Sequence, residues 1–240
     1  MRTGPRRSGP TPVACGAMSV DLPPTPGATV VPLRDGPDGL EVLMIERAAA
    51  LAYGGMWAFP GGRVDPDDAD PSDPGDEVAR ARRAAVREAH EEVGLQFAPE
   101  SLVTYSHWTG GATHGRLFAA WYFLAPAPDA SVVLDEHECT DHGWVRPVDA
   151  VAARDRGEIA VVAPTWMTLH SLLAARTVDD ALALAHSRSP VVYRSRVTDA
   201  GDQRIVLWHG DAGYEAADPG LDGPRHRLVM SAAGWSFELS

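Results

Sequence analysis

The run REAHEEVGL at 87–95, with FPGG at 59–62 ahead of it, constrains this chain more than any other feature. Glu88, Glu91 and Glu92 fall at i, i+3 and i+4, so on a helix they share one face and can converge on one point. Carboxylates held together repel, the more so near a helix end that already carries negative partial charge, and the arrangement calls for a cation. Hard oxygen donors suit Mg2+ or Mn2+, ions that keep some waters and touch substrate phosphates. A generic E-x-x-E-E is more often a solvated face with local ion pairs, Arg87 to Glu91 in this chain, but the flanks shift that balance. An apolar run ending in a Pro-Gly-Gly turn, then a helix, then Gly94 as its stop, makes a strand-loop-helix unit with defined ends.

These residues resemble the Nudix hydrolase signature, G-x5-E-x7-R-E-U-x-E-E-x-G-U with U apolar, which Gly62, Arg87, Glu88, Ala89, Glu91, Glu92, Gly94 and Leu95 match. Arg87 follows Gly62 by 25 positions where the signature has fourteen, so eleven residues are inserted within RVDPDDADPSDPGDE. Counting back eight from Arg87 lands on Ala79 instead of the first signature glutamate. In the family that glutamate orients the motif's Arg through an ion pair, and Glu77 or Asp76 is the expected substitute. The Pro/Asp-rich insertion after FPGG resembles the branch that includes the mammalian peroxisomal coenzyme A diphosphatase and its bacterial relatives, and the likeness runs over about 28–215. The resemblance implies an α/β (mixed α+β) fold, an α/β/α sandwich around a mixed sheet. It also implies a Mg2+-dependent diphosphatase, Mn2+ being an alternative, acting on a nucleoside diphosphate joined to another group. Coenzyme A or an acyl derivative is the first candidate and ADP-ribose or a nucleotide sugar the second. A catalytically silent nucleotide sensor is a further reading.

Linked phosphates repel an attacking hydroxide, so their cleavage needs a cation to neutralise oxygens and acidify a bound water. Glu91 and Glu92 are the expected main ligands, Glu88 a third ligand or a general base, with Arg87 in the same catalytic set. The resemblance adds the Gly61 carbonyl as a ligand, Gly62 completing the turn. It also directs attention to DEHECTDH at 135–142, where Glu138, six positions before Trp144, is the favoured later acid and Glu136 the second choice; an exposed polar loop is the competing reading. Arg47 could reach phosphate or serve as an edge charge. Trp57, Trp108, Trp121 and Tyr122 could stack on adenine, but strand-borne aromatics are more often core, so at most one or two touch ligand, Trp57 first. His137 and His142 make a weak zinc set, His90 points off the carboxylate face, and no G-x-S-x-G nucleophile motif is present.

With 240 residues and 45% hydrophobic content the chain suffices for one good-sized core, read as a disordered Pro/Gly/Arg-rich leader at 1–27 and a domain at 28–240 with a C-terminal helical and hairpin extension. The leader has no apolar signal core, and Met18 is an alternative start. A net charge of -12 disfavours nucleic acid, no run has the apolar length of a membrane span, and two cysteines, Cys15 and Cys139, fit a reducing cytoplasm. The ending FELS is not a peroxisomal address of the Ser-Lys-Leu type. The family also suggests a homodimer. Periodicity predicts a hairpin at 28–33 and 40–46, a surface loop at 63–75 and a helix at 77–93. Strands follow at 102–108 and 117–124, then helices at 147–156, 164–176 and 178–186, a hairpin at 191–197 and 204–209, and a last strand pair within 225–240 that covers the sheet or caps the pocket.

Overall fold

Alternating apolar residues draw 25–47 into a hairpin. Strand β1 (Thr25–Gly36) turns through Pro37 and Asp38 into antiparallel β2 (Gly39–Arg47), with Gly36 opposite Gly39. The computed structural model describes residues 24–51, 53–70, 75–110 and 117–240; most of the expected leader, with Cys15 and Met18, lies outside them, as do 71–74 of the insertion and 111–116. β1 begins three residues before the expected strand, at Thr25, because Thr25 to Leu33 pair in parallel with Phe118 to Pro126. That partner is β6 (Phe118–Pro126), itself antiparallel to β5 (Val103–Gly110). Short strands β3 (Trp57–Ala58) and β4 (Gly61–Arg63) pair with β2 and β1.

The insertion is not all loop: Arg63 ends β4, and Pro66–Asp68 forms a 3-10 turn closed by bonds from Asp68 and Ala69 to the carbonyls of Asp65 and Pro66. Helix α1 (Glu77–Val93) follows, with the expected bounds. Asp76 caps it by accepting from the Ala79 N–H, and Gly94, left-handed at φ 71, ends it. Its alanine stripe, Ala81, Ala85 and Ala89 with Val93, packs on Ala28, Val30, Leu43 and Ile45 of the sheet.

The pleat sends Val31, Leu33, Val42 and Met44 to the other face. There they meet Trp166, Leu169 and Leu172 from or next to α3 (Ala163–Ser171) and Ala181 of α4 (Val178–His186), beside α2 (Pro147–Asp155). α3 ends earlier than expected, its last carbonyls taken by Leu172. The polar run at 135–142 is not wholly a loop either, since Cys139 opens β7 (Cys139–Val145), antiparallel to β2. Most of the first half of this strand is exposed, so it lacks the apolar alternation that would betray it; the free edge of β2 imposes it.

β8 (Val191–Ala200) lies parallel to β5, and β9 (Gln203–Leu207), β10 (His226–Ser231) and β11 (Gly234–Leu239) extend the sheet outward. The last strand pair therefore lengthens the sheet. The order is β11-β10-β9-β8-β5-β6-β1-β2-β3, with β4 on β1 and β7 on β2. This mixed sheet between α1 and the other helices is the α/β/α arrangement expected. Among the described residues no helix is long and apolar enough to cross a membrane.

Candidate active site

The Gly61–Gly62 turn lies against the C-terminal half of α1; backbone contacts require glycine at 61, and glycine at 62 leaves room for the Glu88 carboxylate. A Cβ on Gly62 would strike the Glu88 carboxylate, and one on Gly61 would strike the Ala28 carbonyl and Thr29. The Gly61 N–H donates to Glu92 Oε2 at 2.8 Å, while Arg47, at the end of β2, donates to Oε1 at 2.9 Å. Glu92 thus ties helix, glycine turn and β2 together at a point where it is 1% exposed. Burial pushes its carboxyl up to about 7, against the pull of the Gly61 N–H and the Arg47 charge.

Arg87 is the hub of the outer face. Its Nε and Nη2 reach both oxygens of Asp68 at 3.1 Å, Nη1 reaches Glu88 at 2.9 Å and Glu91 at 2.8 Å, and Nη2 also donates to the Arg63 carbonyl at 2.9 Å. The hydrogen bonds it donates to Asp68 and the charge of Glu88 hold the guanidinium above its ordinary range despite burial. Asp68 is 6% exposed and accepts from the Asp65 N–H at 2.7 Å, while its carbonyl takes Arg83 Nε at 2.6 Å. The expected substitutes are occupied elsewhere. Asp76 caps α1, and Glu77 accepts from Trp121 Nε1 at 3.0 Å. Counting forward from Gly62, six positions lead to Asp68, so the eleven extra residues lie between Asp68 and Arg87 and the signature's acid is present as Asp. Counting back across the insertion hid it.

Glu88 sits between Arg87 and the glycine turn. Desolvation raises its carboxyl, Arg87 opposes this, and the charges of Glu91 and Glu138 add to the rise. Glu138 therefore bears on the site, from a turn pinned by Ala48 N–H to the Glu138 carbonyl at 2.8 Å and by Asp135 N–H to the Glu92 carbonyl at 3.0 Å. Glu136 is exposed. The three helix glutamates do not converge on one point as they stand. Arg87 bridges Glu88 and Glu91 while Glu92 turns to Arg47, and among the described residues no three His, Cys, Asp or Glu groups are placed to enclose a metal. The donor chemistry nevertheless fits a hard cation: all-oxygen, mutually repelling, and partly neutralised only by arginines that can be outcompeted.

Of the aromatic candidates, Trp108 and Tyr122 are core. Trp121 stacks on His107 at 4.2 Å, and Trp57 packs half-buried on the core, its backbone N–H donating to the Ala160 carbonyl at 2.7 Å. His90 is exposed on α1, and His142 lies on β7. Cys139 is no nucleophile: burial, with the neighbouring Glu92 charge, pushes its thiol up to about 12.

Residues 23–186 match the family model described as NUDIX domain. The chain is 31% identical over 120 residues to a CTP pyrophosphohydrolase of Escherichia coli (strain K12), covering 49% of this chain and 73% of that protein. It superposes on a NUDIX hydrolase from Alicyclobacillus acidocaldarius with a TM-score of 0.58 at 22% identity, over 71% of this chain and 98% of the other. Through the family model, which spans more than half of its length, the chain belongs to the Nudix family and is a hydrolase that cleaves phosphoric anhydrides.

Proposed function

We propose that the protein hydrolyses the pyrophosphate of a nucleoside diphosphate linked to another group, with Mg2+ as its working cation. The observation that carries this reading is the seating of Gly61 and Gly62 against Glu92 and Glu88, with Arg87 clamped by Asp68 beside them. Glu88, Glu91, Glu92 and the Gly61 carbonyl would hold the cation. Glu92 uses one lone pair on each oxygen for Arg47 and Gly61, which leaves others for a metal. When bound, the cation neutralises phosphate oxygens and lowers the pKa of water. Glu88, desolvated and pressed on by Glu91 and Glu138, would serve as general base toward that water if it is not a ligand. Arg87 fixes the Glu88 and Glu91 carboxylates, and Arg47 fixes Glu92.

Coenzyme A or an acyl derivative is the first substrate of this proposal, supported by the Pro/Asp-rich insertion after FPGG; cleavage would release phosphopantetheine and adenosine 3',5'-bisphosphate. The likeness to a CTP pyrophosphohydrolase supports a second reading, a nucleoside triphosphate. ADP-ribose and nucleotide sugars follow. Retention of all the helix carboxylates weighs against a silent sensor, which has no need of a costly charge cluster. The test is product release from coenzyme A, acetyl-coenzyme A, CTP, ADP-ribose and diadenosine polyphosphates with Mg2+, Mn2+ or chelator. Chelator should abolish turnover, and preference for coenzyme A would support the branch. Preference for CTP would discard the branch and keep the chemistry, while silence with nucleotide still bound would favour the sensor.

A further inference from the structure

We propose that Tyr53 and Phe118 form the corner on which the substrate's nucleobase stacks, so that they set base recognition while the box carboxylates act on the anhydride. This rests on the hydrolase reading above. The rings lie with centroids 6.3 Å apart, tilted by 57°. Both are half-buried, and neither joins either core cluster among the described residues, unlike Trp108, Tyr122, Tyr193 and Trp208. An aromatic pair outside the core leaves apolar ring faces to water, a cost that a flat ligand removes.

Tyr53 holds φ 60, an unusual backbone for a bulky side chain. Its turn is closed by Arg47 N–H to the Met56 carbonyl at 3.0 Å and Gly55 N–H to the Arg47 carbonyl at 2.8 Å. The residue whose guanidinium holds Glu92 therefore also anchors the turn that presents Tyr53. Phe118 shares a face of β6 with Ala120, which pairs with Gly27 of β1, which pairs in turn with Arg63 of β4. The Gly62 Cβ direction points to Glu88 on the opposite face, so Gly61 and exposed Arg63 present the face of Phe118. Among the described strand residues, Ala120 and Gly27 lie on that face between the aromatic corner and the glycine turn, with Arg63 alongside as a phosphate partner. A base sandwiched between two rings needs roughly 7 Å, two contacts of about 3.5 Å. At 6.3 Å the pair is too close for that. The base therefore lies on the outer side of the corner, face against one ring and edge against the other.

The test is steady-state kinetics of Phe118→Ala, Phe118→Tyr, Tyr53→Gly and Tyr53→Phe on CTP, ADP-ribose, coenzyme A and 5-phosphoribosyl 1-pyrophosphate, the last an anhydride without a base. Calorimetric binding of AMP and CMP accompanies it. Loss of a stacking ring should raise KM for base-bearing substrates about 10-fold and weaken monophosphate binding equally. kcat and the KM of the base-less anhydride should stay unchanged, and the two ring-conserving variants should match wild type. Glycine suits the backbone of Tyr53, and Phe118→Leu replaces Phe118→Ala if the latter does not fold. An equal KM rise for the base-less substrate, or no rise for any, overturns the corner. If wild type cleaves no anhydride, the hydrolase reading fails separately. Monophosphate binding then decides: loss in the variants sustains the corner, while unchanged or absent binding overturns it.

Discussion

Asp68 shows how a single acid just ahead of an insertion can still govern the helix that follows it. It is buried, engages Arg87 through both oxygens, and Arg87 in turn holds Glu88 and Glu91. Asp68→Ala should lower kcat about 100-fold, since a misplacement near 1 Å costs that much. Asp68→Glu should recover part of the loss, and Glu77→Gln, whose partner is Trp121, should leave kcat and Tm unchanged. Equal losses at both positions in parallel assays would reject the assignment. Glu91→Gln or Glu92→Gln should cut turnover by two or more orders of magnitude with the circular dichroism of the fold retained. Unimpaired turnover in the double variant would sink the metal role. Gly62→Ala should inactivate by displacing the Glu88 carboxylate, visible as a kcat loss that exceeds any fall in Tm.

At the scale of elements, α1 serves both stability and chemistry. One stripe, Ala81, Ala85, Ala89 and Val93, is core, and the adjoining stripe carries the carboxylates, with Glu92 at the seam. Asp76 is the helix cap. Asp76→Ala should destabilise the fold by about 1 kcal/mol in urea titration with kcat nearly unchanged. A loss of activity without loss of stability would instead place Asp76 in the site. The helix was legible to its last residue, because cap, stripe and glycine stop agree locally. β7 was not, because its pairing comes from the open edge of β2 and leaves no mark in a polar sequence.

At the scale of the molecule, the outer sheet has its own anchor in Asp211 and Arg227, paired through Nε at 2.7 Å and Nη2 at 2.6 Å, with side chains 0% and 5% exposed. Burial opposes ionisation of Asp211, but hydrogen bonds from Arg227 and from the His226 and Gly213 N–H groups outweigh it and bring the carboxyl down to about 2. A depressed carboxylate contributes stability above its unfolded value and loses it as pH falls through the folded one. Tm should therefore fall between about pH 4 and pH 2 more steeply in wild type than in an Asp211→Asn, Arg227→Met double variant. Equal slopes would remove this pair from the acid response. The sequence by itself determined the Nudix box, the helix that carries it, the first hairpin and the late strands, because each is specified by neighbours a few positions apart. Only the tertiary structure decided that Asp68 and not Glu77 holds Arg87, that Arg47 serves Glu92, and that Tyr53 meets Phe118. Those contacts join residues separated by 19, 45 and 65 positions, and chain spacing carries no signal for a meeting that sheet register alone brings about.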